Sequence, residues 1–298
     1  MIFNLRGALN MKSILTLFSF SSLFILFVLP VHADEYGKPK LYRLDCGSVG
    51  VLDLNIFSDT DQYVGQTKTL VNSCYLINAG TNWLLWDTGL PSEIAEIEGG
   101  KKDKNFHMKV TKTIAEQLDS IGLMPADITH VAVSHGHGDH AGNVNMFTNA
   151  TLVIQKAEYD ILSGDDMEKA MRYHLNPETI SYFLKKENKD KVLVLTRDHD
   201  FFGDGRVMAI SLPGHTPGHM ALKIDLLNNG TVILSGDQWH FTENRASNGV
   251  PSFNYDRTLT LTSSDRLNRL VQNTGAKLVI QHEPSHVDLL PAFPEFLD

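Results

Sequence analysis

Four side chains able to hold a metal ion fall within six consecutive residues of the segment Ser134-His135-Gly136-His137-Gly138-Asp139-His140. The segment follows a strand-like Val131-Ala132-Val133. In an extended turn the alternating His135 and His137 can aim two imidazoles at one point, and the intervening glycines let the backbone bend without a Cβ clash. Asp139 and His140 then face a second point. Three imidazoles and a solvent molecule satisfy one divalent cation, so the extra carboxylate and imidazole imply two adjacent ions. These ligand types suit zinc, and also iron, manganese or cobalt. Ions sharing a hydroxide would present a nucleophile at neutral pH, because coordination lowers the pKa of water from about 15.7 to about 7. No serine or cysteine nucleophile is then required, and the reaction class is hydrolysis.

Such a turn needs elements that place it. Short apolar runs at Asn82–Trp86, Val131–Ser134, Leu152–Ile154, Val192–Leu195, Val207–Ile210, Met220–Ile224, Val232–Leu234 and Leu278–Ile280 predict strands, many bounded by Gly, Asn, Asp or Pro. Val110, Ile114, Leu118 and Ile121 share one helical face, and Leu259–Val271 predicts a second amphipathic helix with Arg266 and Arg269 on its polar side. Alternation of this kind implies an α/β (or α+β) protein of layered sheets covered by helices. Residues 159–190, rich in charge and in Met, Tyr and Phe, read as a helical insertion.

The chain has 298 residues, with 26 Lys and Arg against 35 Asp and Glu, and no basic run that would track nucleic-acid phosphates. Nucleic acid is therefore not an expected partner. Residues 1–33 contain no Asp or Glu and run uncharged from Ser13 to Val31, ending in Val31-His32-Ala33. This is the pattern of a secretory signal peptide cleaved after Ala33, with translation starting at Met1 or at Met11. Its removal leaves 265 residues at a formal charge of −11, read as one hydrolase domain over 34–298 without a lasting membrane insertion. The expected location is periplasmic or secreted. An oxidising compartment permits a bond between Cys46 and Cys74, while two separately buried thiols account for the same residues.

The His-x-His-x-Asp-His string resembles the signature of the metallo-β-lactamase superfamily, and further islands follow in that family's order. Leu84-Leu85-Trp86-Asp87-Thr88-Gly89 is similar to the strand whose Asp supports the metal loop. Pro213-Gly214-His215-Thr216-Pro217-Gly218-His219 is similar to the third-histidine motif, Leu234-Ser235-Gly236-Asp237 to the bridging carboxylate, and Gln281-His282-Glu283 to the last histidine. The resemblance implies the four-layer αββα sandwich. It assigns His135, His137 and His215 to one ion, and Asp139, His140 and His282 to the other. Asp237 would lie between them, and Asp139 or Asp237 would pass a proton to the leaving group. His219 is expected to support its loop. His107, His130, His174, His199 and His286 lack comparable context.

Within the superfamily, Phe253-Asn254-Tyr255-Asp256, the helix through Ser264, Arg266 and Leu267, and Gln281-His282-Glu283-Pro284 resemble the N-acyl-homoserine lactonases. This implies a small-molecule lactone substrate opened by a metal-bridging hydroxide, which would quench a diffusible signal. Another lactone, an ester or a β-lactam is the alternative, and a homodimer is compatible with either. Type II glyoxalases resemble the ligand pattern but extend further beyond the final histidine. Lactonases carry a tyrosine three residues after the bridging Asp, whereas here Asp237 is followed by Gln238, Trp239 and His240. His240 is accordingly expected to bind substrate or act as an acid, and Trp239 to contact the acyl chain or ring. Met167, Met171, Tyr173, Tyr182 and Phe183 are candidates to wall an acyl pocket.

Overall fold

Nine strands and five strands form two sheets in the computed structural model, which describes residues 37–298. The signal-peptide reading lies outside the described residues. The larger sheet contains β1 (Lys40–Val51), β2 (Lys68–Ala79), β3 (Asn82–Trp86), β4 (Lys101–Lys102), β5 (Phe106–Lys109), β6 (His130–Ala132), β7 (Thr151–Gln155) and β8 (Val192–Leu195). Its order is β4-β5-β1-β2-β3-β6-β7-β8. The smaller sheet has β9 (His199–Asp200), β10 (Val207–Ser211), β11 (Met220–Leu226), β12 (Gly230–Leu234) and β13 (Lys277–Val279), in the order β13-β12-β11-β10-β9. A last strand, β14 (Phe296–Leu297), returns to pair antiparallel with β1.

Strand alternation explains the layering. Tyr75, Ile77, Leu84, Trp86 and Val153 of the larger sheet meet Ala209, Leu222, Ile224, Val232 and Leu234 of the smaller one in a shared core. Their sequence neighbours Leu76, Leu85, Leu152 and Ile154 point the other way, onto Ile114, Leu118, Ile161 and Phe183. The outer face of the smaller sheet, through Ile210, Ala221 and Ile233, packs with Leu267 of the helix Arg257–Thr274. Strands covered on both faces read as continuous apolar runs, which is how the sequence showed them. The result is an αββα sandwich.

Two helices owe their starts to caps. Thr113 and Glu116 form a capping box ahead of Ile114–Asp119. Asp256 accepts a hydrogen bond from the Leu259 amide, so the long helix begins at Arg257, ahead of the Leu259 expected from apolar periodicity. Arg266 then joins this helix to the smaller sheet by donating to the Ser211 carbonyl at 2.6 Å and pairing with Asp198.

Cys46 and Cys74 are bonded, at a Cα separation of 5.8 Å, so the reading as two separate thiols is not what the structure holds. The pairing of β1 with β2 shifts register between Asp45 and Ser48, and this irregularity contains Cys46. Both cysteines are buried.

Candidate active site

The functional side chains gather where the ends of both sheets meet. From β6 the chain enters the His135–His140 turn, with Gly138–Ala141 forming one short helical turn. His215 comes from the loop between β10 and β11, Asp237 from the turn after β12, and His282 from the loop after β13. Two groups result, His135, His137, His215 and Asp237 in one, and Asp139, His140 and His282 in the other.

Their geometry is that of donors aimed at common points. His135 Nε2 lies 2.9 Å and His215 Nε2 3.2 Å from His137 Nδ1. His140 Nε2 and His282 Nε2 are 3.1 Å apart. Nitrogens around one tetrahedral zinc, each about 2.05 Å from it, would be about 3.3 Å apart. Asp237 reaches both groups. Its Oδ2 is 3.6 Å from His135 Nε2 and 3.4 Å from His215 Nε2, while Oδ1 is 3.2 Å from His140 Nε2 and 3.0 Å from His282 Nε2. Oδ1 is buried with no hydrogen-bond donor among the described residues. A buried carboxylate oxygen without a donor, facing two imidazoles, is a poor arrangement unless a cation is held there. The residues therefore fit metal ions.

Electrostatics divide the rings: burial pulls His140 and His282 down, but the Asp237 carboxylate outweighs it and holds both above the ordinary histidine range, His140 well above it. Burial first, and then the neighbouring imidazoles, hold His135 and His137 well below the ordinary histidine range, leaving neutral rings with a free lone pair. Burial pushes the Asp237 carboxyl up, but the surrounding imidazoles, His140 foremost, outweigh it and keep the group ionised.

A layer of hydrogen bonds fixes most of the rings, though His215 Nδ1 is buried with no hydrogen-bond partner among the described residues. Asp87 accepts from the Ser134 amide at 2.6 Å through Oδ1 and contacts His140 Nδ1 at 2.9 Å through Oδ2. It does so from a left-handed conformation, φ 60°. Gln281 Nε2 donates to the same Oδ2 at 2.9 Å. The Val71 carbonyl faces His282 Nδ1 at 2.8 Å and the Tyr173 carbonyl faces His137 Nε2 at 3.0 Å, so the opposite ring nitrogens point into the site. His219 places Nδ1 3.0 Å from the Leu212 carbonyl, and its Nε2 accepts from the Asp237 amide at 2.9 Å. Burial first, with the charge of His215, depresses its pKa to about 3, as that acceptor role requires. It supports Asp237 and stands outside both ligand groups.

Glu158 was not singled out by sequence reasoning. Fully buried, its carboxylate accepts from the Gly136 amide at 2.7 Å and the Gly218 amide at 2.9 Å, clamping two histidine loops together. Burial raises its pKa against the pull of those two amides. A signal was present: Glu158 precedes Ile161 and Leu162 by three and four residues, on the helical face they mark as buried.

A cavity of about 470 Å³ opens beside Asp139, Asp237 and His282, walled by Phe57, Leu70, Leu90, Ile94, Met108 and Phe253 among others. His240 lines it, with Nε2 3.1 Å from Asp237 Oδ2 and its ring against the edge of Phe57. Burial lowers its pKa to about 4.

Two expectations need correction. Trp239 does not reach the cavity: it is 1% exposed in the core beneath the long helix, with the Arg245 guanidinium over its indole. Backbone alternation turns it away from its neighbour His240. Nor does the Met, Tyr and Phe stripe of 159–190 wall the pocket. Met167 and Met171 face solvent, Phe183 is core, and Tyr173 and Tyr182 pack against that core. The apolar wall comes instead from β1, β2, β5 and the turns near them.

The Metallo-beta-lactamase superfamily profile matches residues 67–282. The N-acyl homoserine lactonase AttM of Azorhizobium caulinodans is 29% identical over 85% of this chain and 95% of its own length. The N-acyl homoserine lactonase AiiA of Bacillus thuringiensis subsp. kurstaki is 26% identical over 78% and 89% respectively. Among solved structures, an N-acyl homoserine lactone hydrolase with the product N-hexanoyl-L-homoserine at its catalytic metal centre superposes with a TM-score of 0.70. It is 26% identical, covering 87% of this chain and 99% of that one. Fold, ligand geometry and profile together make this chain a member of the metallo-beta-lactamase superfamily.

Proposed function

We propose that the protein hydrolyses the lactone ring of N-acyl-homoserine lactones. The observation that carries this reading is the placement of Asp237, one oxygen toward each ligand group, on the wall of an apolar cavity able to take an acyl chain. Resemblance over most of the chain to lactonases supports the substrate class. His135, His137 and His215 would hold one divalent ion and Asp139, His140 and His282 a second, with Asp237 shared; zinc suits these donors. When bound, such ions supply a water-derived nucleophile at neutral pH and polarise the substrate carbonyl.

The chain's own residues do the rest. The cavity's apolar wall excludes water from the acyl tail and fixes its direction. Asp139, the most exposed of the proposed ligand residues, faces the cavity and is placed to pass a proton to the departing ring oxygen. His240 orients Asp237 and contacts the substrate where lactonases carry a tyrosine. His240→Ala is expected to lower kcat/KM about 10- to 100-fold with metal content unchanged. An unaltered rate at full metal loading removes the role.

The test of the function is a panel: short- and long-chain acyl-homoserine lactones, an unsubstituted lactone, a simple ester and a β-lactam, offered to the metal-loaded protein. Preference for acyl lactones is the expected result, and preference for the β-lactam or the ester overturns the reading. We also propose export, supported by the uncharged run at Ser13–Val31 and by the disulfide, a bond typical of oxidising compartments.

A further inference from the structure

The cavity is apolar on most sides, and an acyl-homoserine lactone carries one strongly polar group between ring and tail, its amide. Buried in such a cavity without a partner, that amide would oppose binding. Apart from the ligand groups and His240, the polar side chains lining the cavity are Lys101, Asn105, His174 and Ser252. Ser252 is already committed, its Oγ donating to the Ile56 carbonyl. Lys101 and Asn105 belong to β4 and to the turn that follows it. His174 is different, because its ring centroid lies 6.2 Å from that of His137 and 5.9 Å from that of Phe253.

The backbone around His174 is built to present it. Tyr173 on one side gives its carbonyl to His137, and Leu175 on the other is buried, with its amide bonded to the Ala170 carbonyl at 2.9 Å. Between these two anchors His174 takes φ 55°, a left-handed conformation uncommon for a side-chain-bearing residue. The exposed imidazole is thereby turned to the cavity, and it makes no hydrogen bond to any described residue. Non-glycine residues held in this way are found disproportionately at functional sites.

We propose that His174 is a specificity-determining residue, its imidazole hydrogen-bonding the amide that joins the acyl chain to the lactone ring. This rests on the lactonase reading and adds to it a means of distinguishing amide-bearing lactones from plain ones. The amide carbonyl is three bonds from the lactone carbonyl, so the two oxygens lie several ångströms apart, in keeping with a donor whose ring centroid is 6.2 Å from that of His137.

The test uses His174→Gly and His174→Asn. Both tolerate the left-handed backbone, but only Asn retains a hydrogen-bonding side chain. The readout is the KM for N-hexanoyl-homoserine lactone relative to that for γ-butyrolactone, the latter measured as substrate or as competing ligand, with metal content followed in parallel. Gly is expected to raise the ratio about tenfold, the loss of one hydrogen bond, with kcat for the acyl lactone within about twofold of the parent and Asn restoring most of the change. An unchanged ratio, or equal loss on both ligands, overturns the inference and leaves the lactonase reading standing. A wild-type protein that opens no acyl lactone overturns both.

Discussion

Removal of metal by prolonged dialysis against a chelator is expected to abolish hydrolysis, with a loss of about a thousandfold or more, and to lower the melting temperature in the same sample. The site converges five imidazoles and two carboxylates in a mostly buried pocket, with ring nitrogens as close as 2.9 Å. Asp237 Oδ1 receives no hydrogen bond from any described residue. Without cations these groups face one another with little solvent to relieve them, and the water-derived nucleophile and carbonyl polarisation go too. Several kcal/mol of transition-state stabilisation correspond to a loss of that size. Ions bound only by the folded form also stabilise it, so activity and melting temperature should return together on titration with zinc. Full activity in protein shown by elemental analysis to hold no stoichiometric metal would refute the proposed site.

Glu158→Ala is expected to cost about 2–5 kcal/mol of folding stability and to reduce metal content. Two buried amides, those of Gly136 and Gly218, lose their acceptor at once, and each unpaired buried donor costs about 1–3 kcal/mol. The clamp admits little else. A Cβ at Gly218 would sit 2.6 Å from Glu158 Cβ, so the Gly218 loop meets the helix of Glu158 at van der Waals limits. One loop carries His135 and His137 and the other His215, so loosening the clamp separates residues proposed to hold the same ion. Urea unfolding of the metal-free protein measures the first effect, and elemental analysis of the folded protein the second. Retention of both stability and metal would show that the loops are held by their histidines alone.

The parts of this molecule legible in its sequence are those that act locally. The His135–His140 turn declares itself because spacing of one or two residues is enough to state it, and the islands at Asp87, His215, Asp237 and His282 match a known order. Glu158 escaped because its partners lie 22 and 60 residues away. Trp239 was misread for a related reason: proximity to Asp237 in the chain says nothing about which face of the turn it leaves. Met171 and Phe183 shared an apolar stripe, yet one is 68% exposed and the other fully buried. The cavity's true wall is assembled from strands that the metal motifs do not mark.

One feature beneath the site links its geometry to the history of the chain. A Cβ at Gly89 would stand 2.4 Å from Cys46 Cβ and about 3 Å from both sulfurs, so the Asp87–Gly89 turn is moulded directly onto the disulfide. That turn carries the carboxylate that steadies His140, and Cys74 beneath it has no exposure. Once the turn has closed, Cys46 is 3% exposed and Cys74 not at all, so an oxidant or a reductant dissolved outside has little access to either. A chain that matures in reducing surroundings would therefore keep two thiols beneath the Asp87–Gly89 turn, and on later transfer to air the bond would form only as fast as that turn opens.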